Sequence, residues 1–267
     1  MGGDQSQEVA RLRALEQLRS RPREPDDFPT LNAWFDHDSC GFQESGYRLI
    51  QLMHSLKGSN RFFETWRQDR SEQENRNATG IDPLINQNEY LEFQRSLGKV
   101  SDQWFSLSGF AFSSAIFPAE PHRQSIKLGY SGGLRMASNT LYVHPPVLMG
   151  SHNLTLQEWV GLIRVLLDWR MPNFVAVGSS NYEIYDRVFD HRAWPGWMAW
   201  FPTHIDPQHL PTYALTFDIG PGTLVATQET NVITTDAAQV ERAKEVEIAL
   251  GQLGILPTQD ELLGRDN

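Results

Sequence analysis

Between Glu44 and Lys57 the apolar residues Leu49, Leu52, Met53 and Leu56 recur at helical spacing, which predicts an amphipathic helix closed by Gly58. A weaker helical pattern runs through Asn88–Leu97, and between the two the polar stretch "RQDRSEQENRNATG" reads as a loop. The period then changes to two. "FSLSGFAFSSAIF", "SIKLGY" and "NTLYVHPP" alternate around Phe110, Phe112, Ile116, Ile126, Leu128, Leu141 and Val143, predicting a three-strand antiparallel meander.

"LTLQEWVGLIRVLLDWRMP" returns to the helical period. Thr155 and Glu158 form a capping box, Leu154 and Trp159 a hydrophobic staple, and Pro172 marks the stop. "LNAWF" and "FVAV" are short strand candidates, and "YALTFDI" turns through Gly220-Pro221-Gly222 into "TLVAT" as a hairpin. Asp236 is placed to cap a last helix whose stripe is Val240, Ala243, Val246, Leu250 and Leu253, with Gly254 and Pro257 beyond it.

At the front, Val9, Leu12, Leu15 and Leu18 mark one face of a charged helix, and the prolines of "RPREPDDFP" stop it. The expected organisation is an N-terminal helical extension over residues 1–30, a folded domain over 31–257 and a tail over 258–267. The expected fold class is α+β, a single domain with a mixed, mainly antiparallel β-sheet packed by amphipathic helices.

"HRAWPGWMAWFP" (residues 191–202) concentrates Trp194, Trp197 and Trp200. Written as a strand, it sends Trp197, Ala199 and Phe201 to one face and Met198 and Trp200 to the other. Both faces are apolar, so the strand is expected to be central, with Trp197 and Trp200 in the core. Trp194 precedes Pro195 in the entering loop. It is the candidate for contact with a partner, beside Glu183, Asp186, Asp190 and Arg192.

Composition narrows the function classes. The 267 residues carry a formal net charge of −10, which argues against direct contact with nucleic acid, whose phosphates call for Lys and Arg. The acid excess is uneven, since residues 171–267 hold 13 acidic and 5 basic side chains. That excess is either a solvated surface or a face for a basic partner. No apolar run approaches the roughly 18 residues of a membrane span. Cys40 is the sole cysteine, so an internal disulfide is impossible and a reducing, cytoplasmic setting is expected.

Motifs for chemistry are sparse. Neither GxxxxGK[ST] nor GxGxxG occurs, and "GYSGGLR" reads as a turn between strands. Asp36, His37 and Asp38 are adjacent and diverge in an extended chain, while His204 and His209 lack metal-ligand spacing. Cys40 could recruit a distant histidine, but a single cysteine is no nucleophile motif, and no GxSxG elbow is present. No catalytic residue, metal or cofactor is therefore expected. A hydrolase built on Cys40 or the histidines stays open as an alternative, as does a carbohydrate-binding module using exposed tryptophans.

"YEIYDRVFDHRAWPGWMAWFP", "GTLVATQE" and "VERAKEVEIALGQLGILP" together resemble the bacterial immunity protein 52 family. "GFAFSS", "SNTLYVHPP" and "LLDWRMPNFVAV" agree more loosely, so the likeness spans roughly Leu31 to Pro257. "AWFDHDS" departs from the Tyr-Trp-Gly-x-Arg-like start associated with that family. The resemblance implies a cytoplasmic antitoxin that neutralises, by binding, a type VI secretion nuclease toxin with a restriction-endonuclease-like domain. It supplies no catalytic residues.

Overall fold

The structure is a computed structural model that describes residues 13–23, 28–36, 41–59, 63, 66, 81–97, 110–116, 126–132, 139–144 and 154–262. Its strands are β1 (Thr30–Phe35), β2 (Phe110–Ile116), β3 (Ile126–Gly132), β4 (Asn139–His144), β5 (Phe174–Gly178), β6 (Met198–Phe201), β7 (Leu215–Ile219) and β8 (Gly222–Ala226). Its helices are α1 (Phe42–Leu56), α2 (Gln87–Leu97), α3 (Leu156–Trp169), α4 (Ala237–Gln252) and α5 (Gln259–Leu262). Residues 13–19 are also helical.

The eight strands form one sheet in the order β2-β3-β4-β1-β5-β6-β8-β7. Every ladder in it is antiparallel, including the meander at one edge and the β7–β8 hairpin at the other. A single parallel bridge, Val177 to Gly196, lies outside the ladders. The protein is thus an α+β domain on an antiparallel sheet.

Period-two sequence explains which strands lie deepest. In β1, Leu31, Ala33 and Phe35 are buried on the face packed by α1 and α3, whereas Asn32 and Trp34 are only partly covered. The central strands β5, β6 and β8 are buried on both faces, and their sequences "FVAVG", "MAWF" and "GTLVA" carry no charge. One core layer joins Val175, Val177, Met198, Trp200 and Leu224 to Leu49, Met53, Trp159 and Ile163. The other joins Phe174, Ala176, Ala199, Phe201 and Val225 to Val246, Leu250 and Leu262.

Local signals place the helices. Thr155 accepts from the Glu158 backbone N–H, and the Glu158 carboxylate accepts from the Thr155 N–H at 2.8 Å, completing the expected capping box. Asp236 caps α4 by accepting from the Ala238 and Gln239 N–H groups. Gly254 at φ +71 carries the chain out of α4 in the left-handed region.

Three expectations change. Trp197 joins the layer of Met198 and Trp200, not that of Ala199 and Phe201. Gly196 sits at φ +58, so the chain is still turning at Trp197 and strict alternation begins only at Met198. Leu253 is not part of the buried stripe of α4; it is the C-cap residue and is exposed. In its place the stripe buries Glu247, which apolar periodicity cannot reveal. The chain also stays packed past Pro257, with Leu262 of α5 in the second layer. Cys40, His37, Asp38 and the stretch "RQDRSEQENRNATG" lie outside the described residues.

Candidate functional site

Between β5 and β6 the chain crosses the end of the sheet in a π-helical turn, Tyr182–Asp186, followed by Arg187–Asp190. π-Turns lose regular i→i+4 bonding and recur at functional positions. Here the Arg187 N–H donates to the Tyr182 carbonyl at 2.9 Å, and Ser179 caps the entry by accepting from the Tyr182 N–H at 3.1 Å. The turn carries Glu183 and Asp186, with Arg187 and Asp190 immediately after it.

Glu247 of α4 fastens this segment from beneath. It is fully buried, and its Oε2 accepts from the Tyr182 hydroxyl at 2.8 Å. Its Oε1 accepts from the Val188 and Phe189 N–H groups at 3.0 and 3.2 Å. Burial pushes the Glu247 carboxyl above its ordinary range, while those hydrogen bonds and the Arg187 charge pull the other way. Burial, with the Glu247 charge beside it, likewise pushes the Tyr182 hydroxyl far up, so Tyr182 stays neutral and donates.

The N-terminal extension lies over the outside of the same segment. Arg19 grips Asp190 with two guanidinium N–H groups, at 2.7 and 3.2 Å, and donates through Nε to the Ile184 carbonyl at 2.7 Å. Arg23 grips Asp186 in the same two-pronged way, at 2.7 and 2.8 Å, and reaches the Thr234 carbonyl at 3.2 Å. Its guanidinium also sits 5.0 Å from the centroid of the Tyr185 ring. The Tyr185 hydroxyl donates to the Arg21 carbonyl at 2.9 Å, with the Leu18 and Pro22 carbonyls at 3.3 Å. Burial would raise the Asp190 carboxyl, but the hydrogen bonds and charge of Arg19, joined by Arg187, hold it below the ordinary range.

Of the five residues singled out in the sequence, the structure gathers Glu183, Asp186 and Asp190 on this turn and gives the other two different work. Trp194 is only 4% exposed, so it is not the exposed loop anchor that its position before Pro195 predicted. Its ring lies in a notch between Gly178 and Gly196, where a Cβ on either glycine would come within 2.5 Å of it. Burial raises the Glu183 carboxyl, and the Arg187 charge and the Trp194 side chain draw it back down. Arg192 turns to the C-terminal segment, donating to the Leu256 carbonyl at 2.6 Å. Trp197 and Trp200 are buried as well, so none of the three tryptophans offers a sugar a flat face.

Sequence reasoning missed Arg19, Arg23 and Tyr185. A signal for the two arginines existed: residues 1–23 hold five arginines against three acids, the opposite of the C-terminal third. Elsewhere, His204 and Asp218 pair at 3.3 Å in an open position. A groove of about 380 Å³ between α1 and α2 is lined by Phe42, Gln43, Asn88, Leu91, Glu92 and Arg95. Neither place gathers buried charged side chains as the acidic turn does.

The class of molecule so defined is an α+β domain with a carboxylate-bearing turn that receives guanidinium groups. No family model matches the chain, and no curated protein matches it. Among solved structures it is similar to the Pseudomonas aeruginosa T6SS protein PA0821, at 11% identity and a TM-score of 0.48, over 86% of this chain and 76% of that one. A likeness at that level assigns neither family nor function.

Proposed function

We propose that this protein is an immunity-type binding protein of the type VI secretion setting. It neutralises a nuclease toxin by laying its acidic turn against basic groups of the toxin. The supporting observation is the chemistry of the turn. Asp186 is buried to 8% exposure and Asp190 is half-buried, and both accept two-pronged guanidinium contacts, that on Asp186 beside the Tyr185 ring. Arginine forks and tyrosine faces are the contacts that dominate protein interfaces, and a nuclease groove built for phosphates supplies basic side chains. Complementary charge would speed the encounter, and the desolvated Asp186 would slow release.

The identity of the toxin rests on the resemblance of the C-terminal third to immunity proteins. Co-expression with the nuclease-domain product of the neighbouring gene tests it: restored growth and a co-purifying complex are expected. Continued toxicity with no complex would overturn the reading. Asp186→Asn with Asp190→Asn should weaken a complex at least tenfold, with association slowing as ionic strength rises.

A further inference from the structure

We infer that the N-terminal arm, residues 13–23, is a built-in occupant of the acidic turn, which a basic partner segment must displace. The inference rests on the proposed function for the identity of that partner, but the arm's own behaviour is separable from it.

Three observations carry it. First, the arm is held by polar contacts. Its side chains are exposed except for Leu15 and Leu18, which are only half-buried, and neither belongs to a core layer. Segments with exposed hydrogen bonds and little buried apolar surface open at low free-energy cost. Second, the contacts are those of an interface and not of a core: two arginine forks, one stacked guanidinium and one tyrosine hydroxyl on successive carbonyls. Exposed ion pairs such as Arg19–Asp190, with side chains 34% and 36% exposed, contribute little net stability. Third, the two partners differ sharply in exposure where the arm reaches deepest. The Arg23 side chain is 40% exposed while that of Asp186 is 9% exposed. If the arm lifts, Arg23 is rehydrated at small cost, whereas Asp186 loses the two-pronged contact that now covers it and is left to take another cation.

The arm therefore does for the resting protein what the partner's arginines do in the complex. It neutralises two carboxylates and covers Tyr185, and it sets a threshold that only a segment presenting two well-spaced guanidiniums passes. A tethered occupant acts at an effective concentration in the millimolar range, so it excludes weak, stray basic peptides without contributing to the core.

The test uses the full chain and a fluorescein-labelled peptide of the arm's own sequence, RALEQLRSRPR. Arg19→Ser with Arg23→Ser frees the turn, so the peptide should bind this variant at least tenfold more tightly than it binds the unaltered protein. Adding Asp186→Asn and Asp190→Asn should remove the gain. Equal binding to both proteins, or no binding to the freed turn at millimolar peptide, overturns the inference. Should the arginine variant lose its cooperative melt, amide exchange in the unaltered protein decides. Between 50 and 500 mM NaCl, exchange over residues 13–23 should accelerate about tenfold while the sheet stays unchanged. An arm that exchanges no faster is a structural brace and not a plug. No toxin enters either measurement, so the arm can fail while co-expression still rescues growth, and the reverse.

Discussion

Two neighbouring stretches, Tyr182–Asp190 and Ala193–Phe201, are covered to different degrees and for opposite reasons, the first in part and the second throughout. The second is apolar throughout; Trp194, Trp197 and Trp200 pack into the core, and the indoles of Trp197 and Trp200 discharge their one polar atom onto the Gln228 and Ile219 carbonyls at 2.9 and 3.0 Å. The first buries Tyr182, Asp186 and Arg187 over the wholly buried Glu247; Arg23 holds Asp186, and the Tyr182 hydroxyl donates to Glu247. The tryptophans draw the eye in the sequence, yet they do scaffold work. The chemistry that can meet another molecule sits a few residues earlier, on side chains unremarkable in type, in a turn that Glu247 of α4 fastens.

The apolar stretch carries the largest expected effect. Trp200→Ala removes a fully buried ring at the centre of β6 and strands the Ile219 carbonyl, so urea denaturation should show a loss of about 3–5 kcal/mol. A loss below about 1 kcal/mol would mean that β6 is not the spine of the sheet. Next comes Glu247→Ala, which leaves the Tyr182 hydroxyl and the Val188 and Phe189 N–H groups without their acceptor in a buried place. Its expected cost is about 3 kcal/mol. The π-turn should loosen first, seen as faster amide exchange at Val188 and Phe189 than in the sheet.

Much of this architecture is visible in the sequence because it follows from period and caps. The capping box of α3, the Asp236 cap, the meander and the Gly220-Pro221 hairpin are local signals that the structure repeats. The side given to Trp197 failed because a positive-φ glycine interrupts alternation. The acidic half of the candidate site was legible as charge, but its partners were not. Arg19 and Asp190 stand 171 residues apart, and nothing in a single sequence states that an N-terminal arm returns to a turn near the other end. Trp194 stands beside the acids in sequence; burial makes it core packing between Gly178 and Gly196 and not a surface anchor.

Two carboxylates fastened to this segment titrate with opposite consequences. Burial holds the Glu247 carboxyl above its ordinary value of 4.5, so the folded state keeps a proton that the unfolded chain has already released. Stability therefore falls as pH rises from about 4.5 through the folded pKa, and is flat above it. Glu247→Gln retains one oxygen for the two N–H groups and offers its amide to Tyr182, so it should melt within about 1 kcal/mol of the parent and lose that decline. A decline of unchanged size in the Gln variant assigns the slope elsewhere.

Asp190 runs the other way and carries the smallest effect. Although burial alone would raise its carboxyl, Arg19 and Arg187 hold it below its ordinary value of 3.8. Its contribution is complete above that value and disappears as pH falls through the folded pKa. Asp190 is half-exposed, and solvent screens the pair, so Arg19→Ser should cost less than about 1 kcal/mol at neutral pH. The difference between parent and variant should vanish both in about 1 M NaCl, where the Debye length is about 3 Å, and on acidification below the Asp190 pKa. A loss of several kcal/mol that survives high salt would make Arg19 part of the fold. A small, salt-erased one leaves the arm as the part of this molecule that a stronger basic ligand can move.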